Sequence, residues 1–289
     1  MQPCFTPSDH SGSVPCEVIR HRNGVPVPAA DRVVEELPVA LVFNGISHAV
    51  MMTTPIDLEA FALGFALSEG IVDSASDVFD IETVLLPASA EIQLTISQQA
   101  FMALKGKRRA LAGRSGCGVC GIESIELLDL QPTHIDHVGI GNTIAADAVE
   151  RAARELPEHQ MLMLQTGGIH AAAWCSRDGA VLDVFEDVGR HNALDKLIGQ
   201  LARKRIDTSE GFVFLSSRAS YELVRKAARV QIPMIATISA PTSLAIQIAQ
   251  LAGIRLLGFC RGNGFVEYTS PNMEPASAPA PGMACCASR

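Results

Sequence analysis

The tightest constraint on this chain lies in its second half, where short apolar runs alternate with helical patterns. A helix over residues 144–155 precedes strands at 171–175 and 181–185, which Arg177-Asp178-Gly179 turns into a hairpin. Helix 191–203, strand 212–216, helix 221–229, strand 234–238, helix 243–251 and strand 255–260 follow. A hairpin leading into such alternation predicts an α/β fold whose sheet becomes parallel and is covered by helices on both faces.

The first half reads as α+β. Residues 33–43 alternate into a strand, and Asn44-Gly45 is a type I′ hairpin signal before a second strand at 46–52. Asp57 is expected to cap a helix carrying Leu58, Phe61, Ala62 and Phe65, which Gly70 closes. A hairpin over 81–86 and 91–96 precedes a helix over 98–111. Gly113, Gly116, Gly118 and Gly121 then make the next segment a loop. The chain divides into an extension at 1–34, partly disordered, a smaller domain at 35–140, an α/β domain at 141–269 and a disordered tail at 270–289.

Ligands of open α/β sheets bind beyond the carboxyl ends of the parallel strands. Here those ends carry residues 186–192, 216–220, 239–243 and 261–264, and three of the four lead straight into helices. Helix N–H groups therefore line one edge, where Arg190, His191, Arg218 and Arg261 add donors suited to phosphate. One such turn would be ordinary helix capping, whereas several on one edge point to an anionic ligand. Thr166-Gly167-Gly168-Ile169-His170 offers either close backbone approach to a ligand or a plain turn.

Charge agrees with a local site. The formal net charge of −8 excludes a general basic surface of the kind nucleic-acid binders carry. No run of apolar residues is long enough for a membrane span, and the polar N-terminus lacks a signal core, so the cytoplasm is expected.

Eight cysteines are unusual there, because a reducing compartment seldom uses them as disulfides. Cys175 and Cys260 sit in apolar strands, where packing is the common role. Only Cys117 and Cys120 are spaced Cys-x-x-Cys. With His134 and His137 they give Cys-x2-Cys-x13-His-x2-His, one residue short of the usual spacing between zinc-site histidines. A thioredoxin-type dithiol would need the pair at a helix start after a strand, not in a glycine-rich loop. A persulfide carrier needs an accessible thiolate on a segment with reach, and Lys105, Lys107, Arg108, Arg109 and Arg114 upstream would favour the thiolate. Zinc-dependent deamination is excluded, since the helix starts read His191-Asn192-Ala193 and Ser217-Arg218-Ala219-Ser220 without the Glu and Cys that it requires.

Met52-Thr53-Thr54-Pro55, residues 64–70, Cys117-Gly118-Val119-Cys120-Gly121, residues 166–170, residues 186–196, Ser239-Ala240-Pro241-Thr242 and Gly258-Phe259-Cys260-Arg261 together resemble the formate dehydrogenase accessory sulfurtransferase family (FdhD). The resemblance spans residues 35–268. It implies a three-layer α/β/α, cytidine-deaminase-like domain, a homodimer, and no binding to nucleic acid or membrane. It also implies a sulfurtransferase that takes persulfide sulfur from a cysteine desulfurase. The sulfur goes to the bis-(molybdopterin guanine dinucleotide) molybdenum cofactor destined for apo-formate dehydrogenase. Cys117 would be the carrier with Cys120 assisting. Phe259, Cys260, Arg261, Gly262, Asn263 and Gly264 would contact the cofactor, for which a guanine nucleotide is a mimic. Cys117 is then expected to swing over the edge where Arg190, His191, Arg218 and Arg261 hold phosphates, with His191 or His170 polarising the substrate. The rival is a zinc-stabilised chaperone that binds the cofactor without transferring sulfur. His134 and His137 have no role in the family that the resemblance supplies.

Overall fold

Asn44 and Gly45 both take positive φ, 45° and 78°, as a type I′ turn demands. The computed structural model describes residues 10–108, 131–136 and 140–270. Its first elements are a hairpin of β1 (Ser13–Arg22) and β2 (Val25–Val34), followed by β3 (Leu37–Phe43) and β4 (Ile46–Thr53) on either side of that turn. Helix α1 (Leu58–Ser68), β5 (Val78–Leu86), β6 (Ser89–Ile96) and α2 (Gln98–Arg108) complete the first half. Strands β4-β3-β6-β5 form one sheet, in which β3 and β6 run parallel.

The second half supplies α3 (Ala146–His159), α4 (Met161–Thr166), β7 (His170–Ser176), β8 (Val181–Asp187) and α5 (Arg190–Lys204). It continues with β9 (Gly211–Leu215), α6 (Tyr221–Arg229), β10 (Met234–Thr237), α7 (Ser243–Ala252), β11 (Arg255–Arg261) and β12 (Gly264–Thr269). These strands form a six-stranded sheet in the order β12-β11-β10-β9-β7-β8. Alternate side chains leave opposite faces. Val213, Leu215, Ile235 and Leu256 pack with α5, α6 and α7 on one face, while Phe212, Phe214, Met234 and Leu257 pack with α3 on the other. The result is a three-layer α/β/α arrangement. Parallel pairing is confined to β9-β10-β11, with β7 antiparallel to β8 and β9, and β12 antiparallel to β11.

Three local expectations need correction. The run 33–43 is not one strand: Glu35 and Glu36 interrupt it. Glu35 is buried, its carboxylate meets His10 Nδ1 at 3.0 Å, and its N–H donates to the Gly12 carbonyl at 2.9 Å. Asp57 does not cap α1 with its side chain. It sits at φ 54°, and its backbone carbonyl accepts from Phe61 N–H at 2.9 Å. Finally, residues 13–34, placed within the N-terminal extension, form the β1–β2 hairpin. Helix α2 is described as far as Arg108, so the rest of its expected length, to residue 111, lies outside the described residues, as do tail residues 271–289.

The two sheets are joined by helices α1 and α5, which cross at glycines. A Cβ on Gly64 would stand 1.7 Å from the Asp195 carbonyl oxygen, and one on Gly199 would stand 1.9 Å from that of Ala60. One apolar cluster consequently runs from Val39, Leu41 and Ile92 through Phe61 and Leu194 to Leu215 and Leu256. Beside it Lys226 Nζ contacts Asp195 and Ser68 Oγ at 2.9 Å and Glu69 at 2.8 Å, tying α6 to α5 and α1. Burial works against the Lys226 charge, but Asp195 and Glu69 outweigh it and raise its pKa. Because each obstructing atom is backbone, Gly64→Ala or Gly199→Ala forces the helices apart. Each is expected to cost about 3 kcal/mol or more, the upper range of overpacking, measured by urea unfolding.

Candidate functional site

Strand direction fixes where polar residues gather. Strands β8, β9, β10 and β11 point the same way, and β7 runs opposite, so four carboxyl ends and the start of β7 share one edge. Short backbone links hold the turns together. Ser216 N–H donates to the Ala171 carbonyl at 3.0 Å, Thr242 N–H to Ala219 at 3.0 Å, and Phe259 N–H to Ser239 at 3.1 Å. Thr237 Oγ1 donates to the Ser217 carbonyl. Helices α5, α6 and α7 all begin here, as the sequence predicts. Neither Gly189 nor Ser220, the residues preceding α5 and α6, caps its helix with a side chain. Thr242 does cap α7, accepting from Ala245 N–H at 3.3 Å.

The edge brings Arg190, His191, Arg218 and Arg261 to one end of the sheet. Arg190 is half-buried and its Nε is sealed from water with no hydrogen-bond partner among the described residues. His191 Nε2 faces Glu222 Oε2 at 3.7 Å. Its interaction with His191 leads in holding the Glu222 carboxyl down at about 2, against burial. Arg218 and Arg261 are exposed. His170 lies at the same edge, paired across the strands with Asp187. Burial first, then Arg190 and His191, lowers its pKa, with Asp187 pulling the other way.

At the end of β11 the chain turns through Gly262 and Asn263 into β12. Phe259 takes φ 54° and is 42% exposed, its ring beside this exposed hairpin. Cys260 points the opposite way into the apolar layer under α3, and burial raises its thiol to about 11. The segment 259–264 is therefore split: Phe259, Arg261, Gly262 and Asn263 face outward, while Cys260 packs. Cys175 is likewise buried, and its thiol is pushed up.

Cys117, Cys120 and His137 lie outside the described residues. Among the described ones, no group of three or more His, Cys, Asp or Glu is placed for a metal. His134 is exposed, and its carbonyl accepts from Gln231 Nε2 at 3.2 Å. Its neighbour Ile135 is buried and donates to the Ala252 carbonyl at 2.9 Å. Residues 131–136 thus sit against the C-terminal ends of α6 and α7, opposite the edge where those helices begin.

Sequence reasoning missed five contributors. Asp187, Asn192 and Lys196 belong to the distinctive 186–196 block but are buried, and they bind the turn rather than facing the edge. Glu222, at the second position of α6, was readable only as a helix-start carboxylate. Arg154 of α3 lies beside the β11–β12 turn, its Cγ 3.8 Å from where a Gly262 Cβ would be. Among the described residues no helix is long and apolar enough to cross a membrane.

This architecture defines a mixed α/β protein with one basic sheet edge. A family model, FdhD/NarQ, matches residues 34–273. The chain belongs to that family. It is 66% identical over 262 residues to the sulfur carrier protein FdhD of Burkholderia mallei, covering 89% of this chain and 96% of that protein. The sulfur carrier protein FdhD of Acinetobacter baylyi is 49% identical over 250 residues, covering 86% and 90%. A crystal structure from Desulfotalea psychrophila, named for a formate dehydrogenase accessory protein, shares the fold. Its TM-score is 0.67 at 23% identity, over 90% of this chain and 97% of that one.

The surroundings of His170 are open to a direct check. Its ring protons should titrate below 6.5 in NMR, and Arg190→Ala should move the midpoint upward. An unchanged midpoint would remove Arg190 from the imidazole's environment.

Proposed function

We propose that this chain carries sulfane sulfur as a persulfide on Cys117 and delivers it to the bis-(molybdopterin guanine dinucleotide) molybdenum cofactor, for maturation of formate dehydrogenase. The donor is a cysteine desulfurase, the recipient of the loaded cofactor is the apo-dehydrogenase, and the carrier works in the cytoplasm as a homodimer. The observation that carries this reading is the convergence of Arg190, His191, Arg218 and Arg261 with the start of α5, which no side chain caps, on one edge. Relatives named sulfur carrier proteins, at up to 66% identity, support the sulfur chemistry.

Phosphates of the cofactor suit this edge. Arginine forks match phosphate oxygens, and free helix N–H groups add partial positive charge. The buried Arg190 Nε, without a hydrogen-bond partner among the described residues, is a donor awaiting an acceptor. Phe259 presents a flat apolar face beside Arg261, suited to stack on a guanine base.

In the transfer step the S–S bond of the Cys117 persulfide breaks. Starting from the deprotonated persulfide, both bonding electrons stay on the cysteine sulfur, which is left as thiolate, and the terminal sulfur leaves as a neutral atom; it would become a sulfide ligand by taking two electrons from the substrate's metal, which would be oxidised by two. The chain rejoins the described fold at the far end of α6 and α7 from this edge, so the stretch before Gln131 must cover at least the length of α7. Ten-residue α7 is about 15 Å long. About 14 residues separate Cys117 from Gln131, an extended span of roughly 46 Å.

After incubation with a cysteine desulfurase and cysteine, wild-type protein should release sulfur to cyanide and Cys117→Ala should release almost none. Equal release from both would end the carrier role of Cys117. In calorimetry with guanosine diphosphate, Arg261→Ala should weaken binding by about 1 kcal/mol or more, the scale of one charge-assisted hydrogen bond. Unchanged affinity would move the nucleotide away from this edge.

A further inference from the structure

The turn that presents Arg190 and His191 is held from behind by a sealed polar cluster. Asp187 ends β8, and both its side chain and that of Lys196 are 0% exposed, with Nζ to Oδ2 at 2.7 Å. Besides Lys196, the Asp187 carboxylate accepts from Thr53 Oγ1, from Thr54 N–H at 3.0 Å, from Gly189 N–H at 2.8 Å and from Asn192 Nδ2 at 2.9 Å. Lys196 gives its remaining protons to the carbonyls of Thr54 at 3.0 Å and Glu186 at 3.1 Å. Asn192 Nδ2 also reaches the Met52 carbonyl at 2.7 Å, and Val188 N–H donates to Thr54 Oγ1 at 3.1 Å. On the other flank, Glu186 accepts from Leu162 and Met163 N–H at 2.7 and 2.8 Å.

Every proton of the ammonium is therefore spent, and the turn is bonded to the β4–α1 connection on one side and to α4 on the other. The side chains of Asp187 and Lys196 are sealed beneath the turn rather than exposed at the edge. Gly189 completes the device: a Cβ there would meet Asn192 Nδ2 at 2.8 Å, and no side chain at that position caps α5. Asp187 binds Gly189 N–H from two residues upstream instead, which leaves the next N–H groups of α5 directed at the edge.

We infer that Asp187 and Lys196 are positioning residues, whose buried pair fixes the Val188–His191 turn so that Arg190, His191 and the α5 N-terminus meet the anionic ligand preorganised. The inference rests on the ligand edge proposed above. Preorganisation matters because a flexible turn would have to be ordered by the ligand, at the expense of affinity. Acting through this turn alone, the pair affects nucleotide binding and delivery, and loading of Cys117 is measured separately from both.

The test uses full-length protein with guanosine diphosphate as probe, well below each variant's unfolding temperature. Lys196→Met and the neutralised pair Asp187→Asn/Lys196→Met are expected to weaken nucleotide binding at least tenfold. Both should keep wild-type amounts of cyanide-releasable sulfur, and Lys196→Arg should restore part of the affinity. Lys226→Met is the control for lost stability, because it breaks a buried ion pair of α6 and α5 away from the turn; it should keep wild-type affinity. Wild-type affinity in both the Lys196→Met and the paired variants overturns the positioning role, as does an equal loss in Lys226→Met. Arg190→Ala separates the two readings. If it too binds like wild type, the edge itself fails; if it binds weakly while the pair variants do not, only the positioning fails.

Discussion

Two helices that touch backbone to backbone are the contact on which this structure depends. Helix α1 belongs to the four-stranded sheet and α5 to the six-stranded one, and Gly64 and Gly199 let each approach the other's carbonyl groups. At that separation the two apolar faces merge into one cluster, and no layer of solvent divides the sheets. The approach also carries a cost. Residues flanking the crossing on α5, Asp195 and Lys196 among them, lose access to water, and so must find partners within the protein.

The sequence meets that requirement with two ion pairs. Asp195 is matched by Lys226 from α6, and Lys196 by Asp187 from the end of β8. An unmatched charge in either place would cost about 3–5 kcal/mol. Hydrophobic replacements of similar volume would satisfy packing equally well, so stability alone does not account for charge at these positions. What the pairs add is direction. Each donor and acceptor accepts one geometry, so strands, helix starts and connections are held in one arrangement. Lys226 organises the interior junction, while Asp187 and Lys196 organise a turn that opens on the basic edge.

Much of this was legible from residues alone, for identifiable reasons. Helices α5, α6 and α7 begin where the sequence predicts because apolar periodicity and polar punctuation coincide there. Asn44-Gly45 was readable because only residues tolerant of positive φ fit that turn. The β1–β2 hairpin was not read, since its side chains are mostly exposed and no third strand covers it among the described residues. Asp57 looked like a cap by residue type, but its left-handed backbone takes the carboxylate out of capping geometry. In the block 186–196 the sequence signalled importance without assigning it. Arg190 and His191 reach the edge, whereas Asp187, Asn192 and Lys196 turn inward, a distinction that depends on tertiary burial. The thiols of Cys117 and Cys120 were legible only as chemistry, and they lie outside the described residues.

Charge distribution reconciles an acidic chain with an anionic ligand. Away from the edge, several arginines and lysines are paired among the described residues: Arg203 with Glu59, Lys204 with Asp183, Arg225 with Glu69, Arg229 with Asp73 and Arg255 with Glu267. Arg190, Arg218 and Arg261 form no carboxylate ion pair among the described residues, and they stand at the ends of adjoining strands. Pairing the other cations cancels their fields within a few ångströms, whereas three unpaired guanidiniums at one edge add. With a net charge of −8 over the whole chain, these three guanidiniums make the edge locally basic, the setting that the proposed anionic ligand requires.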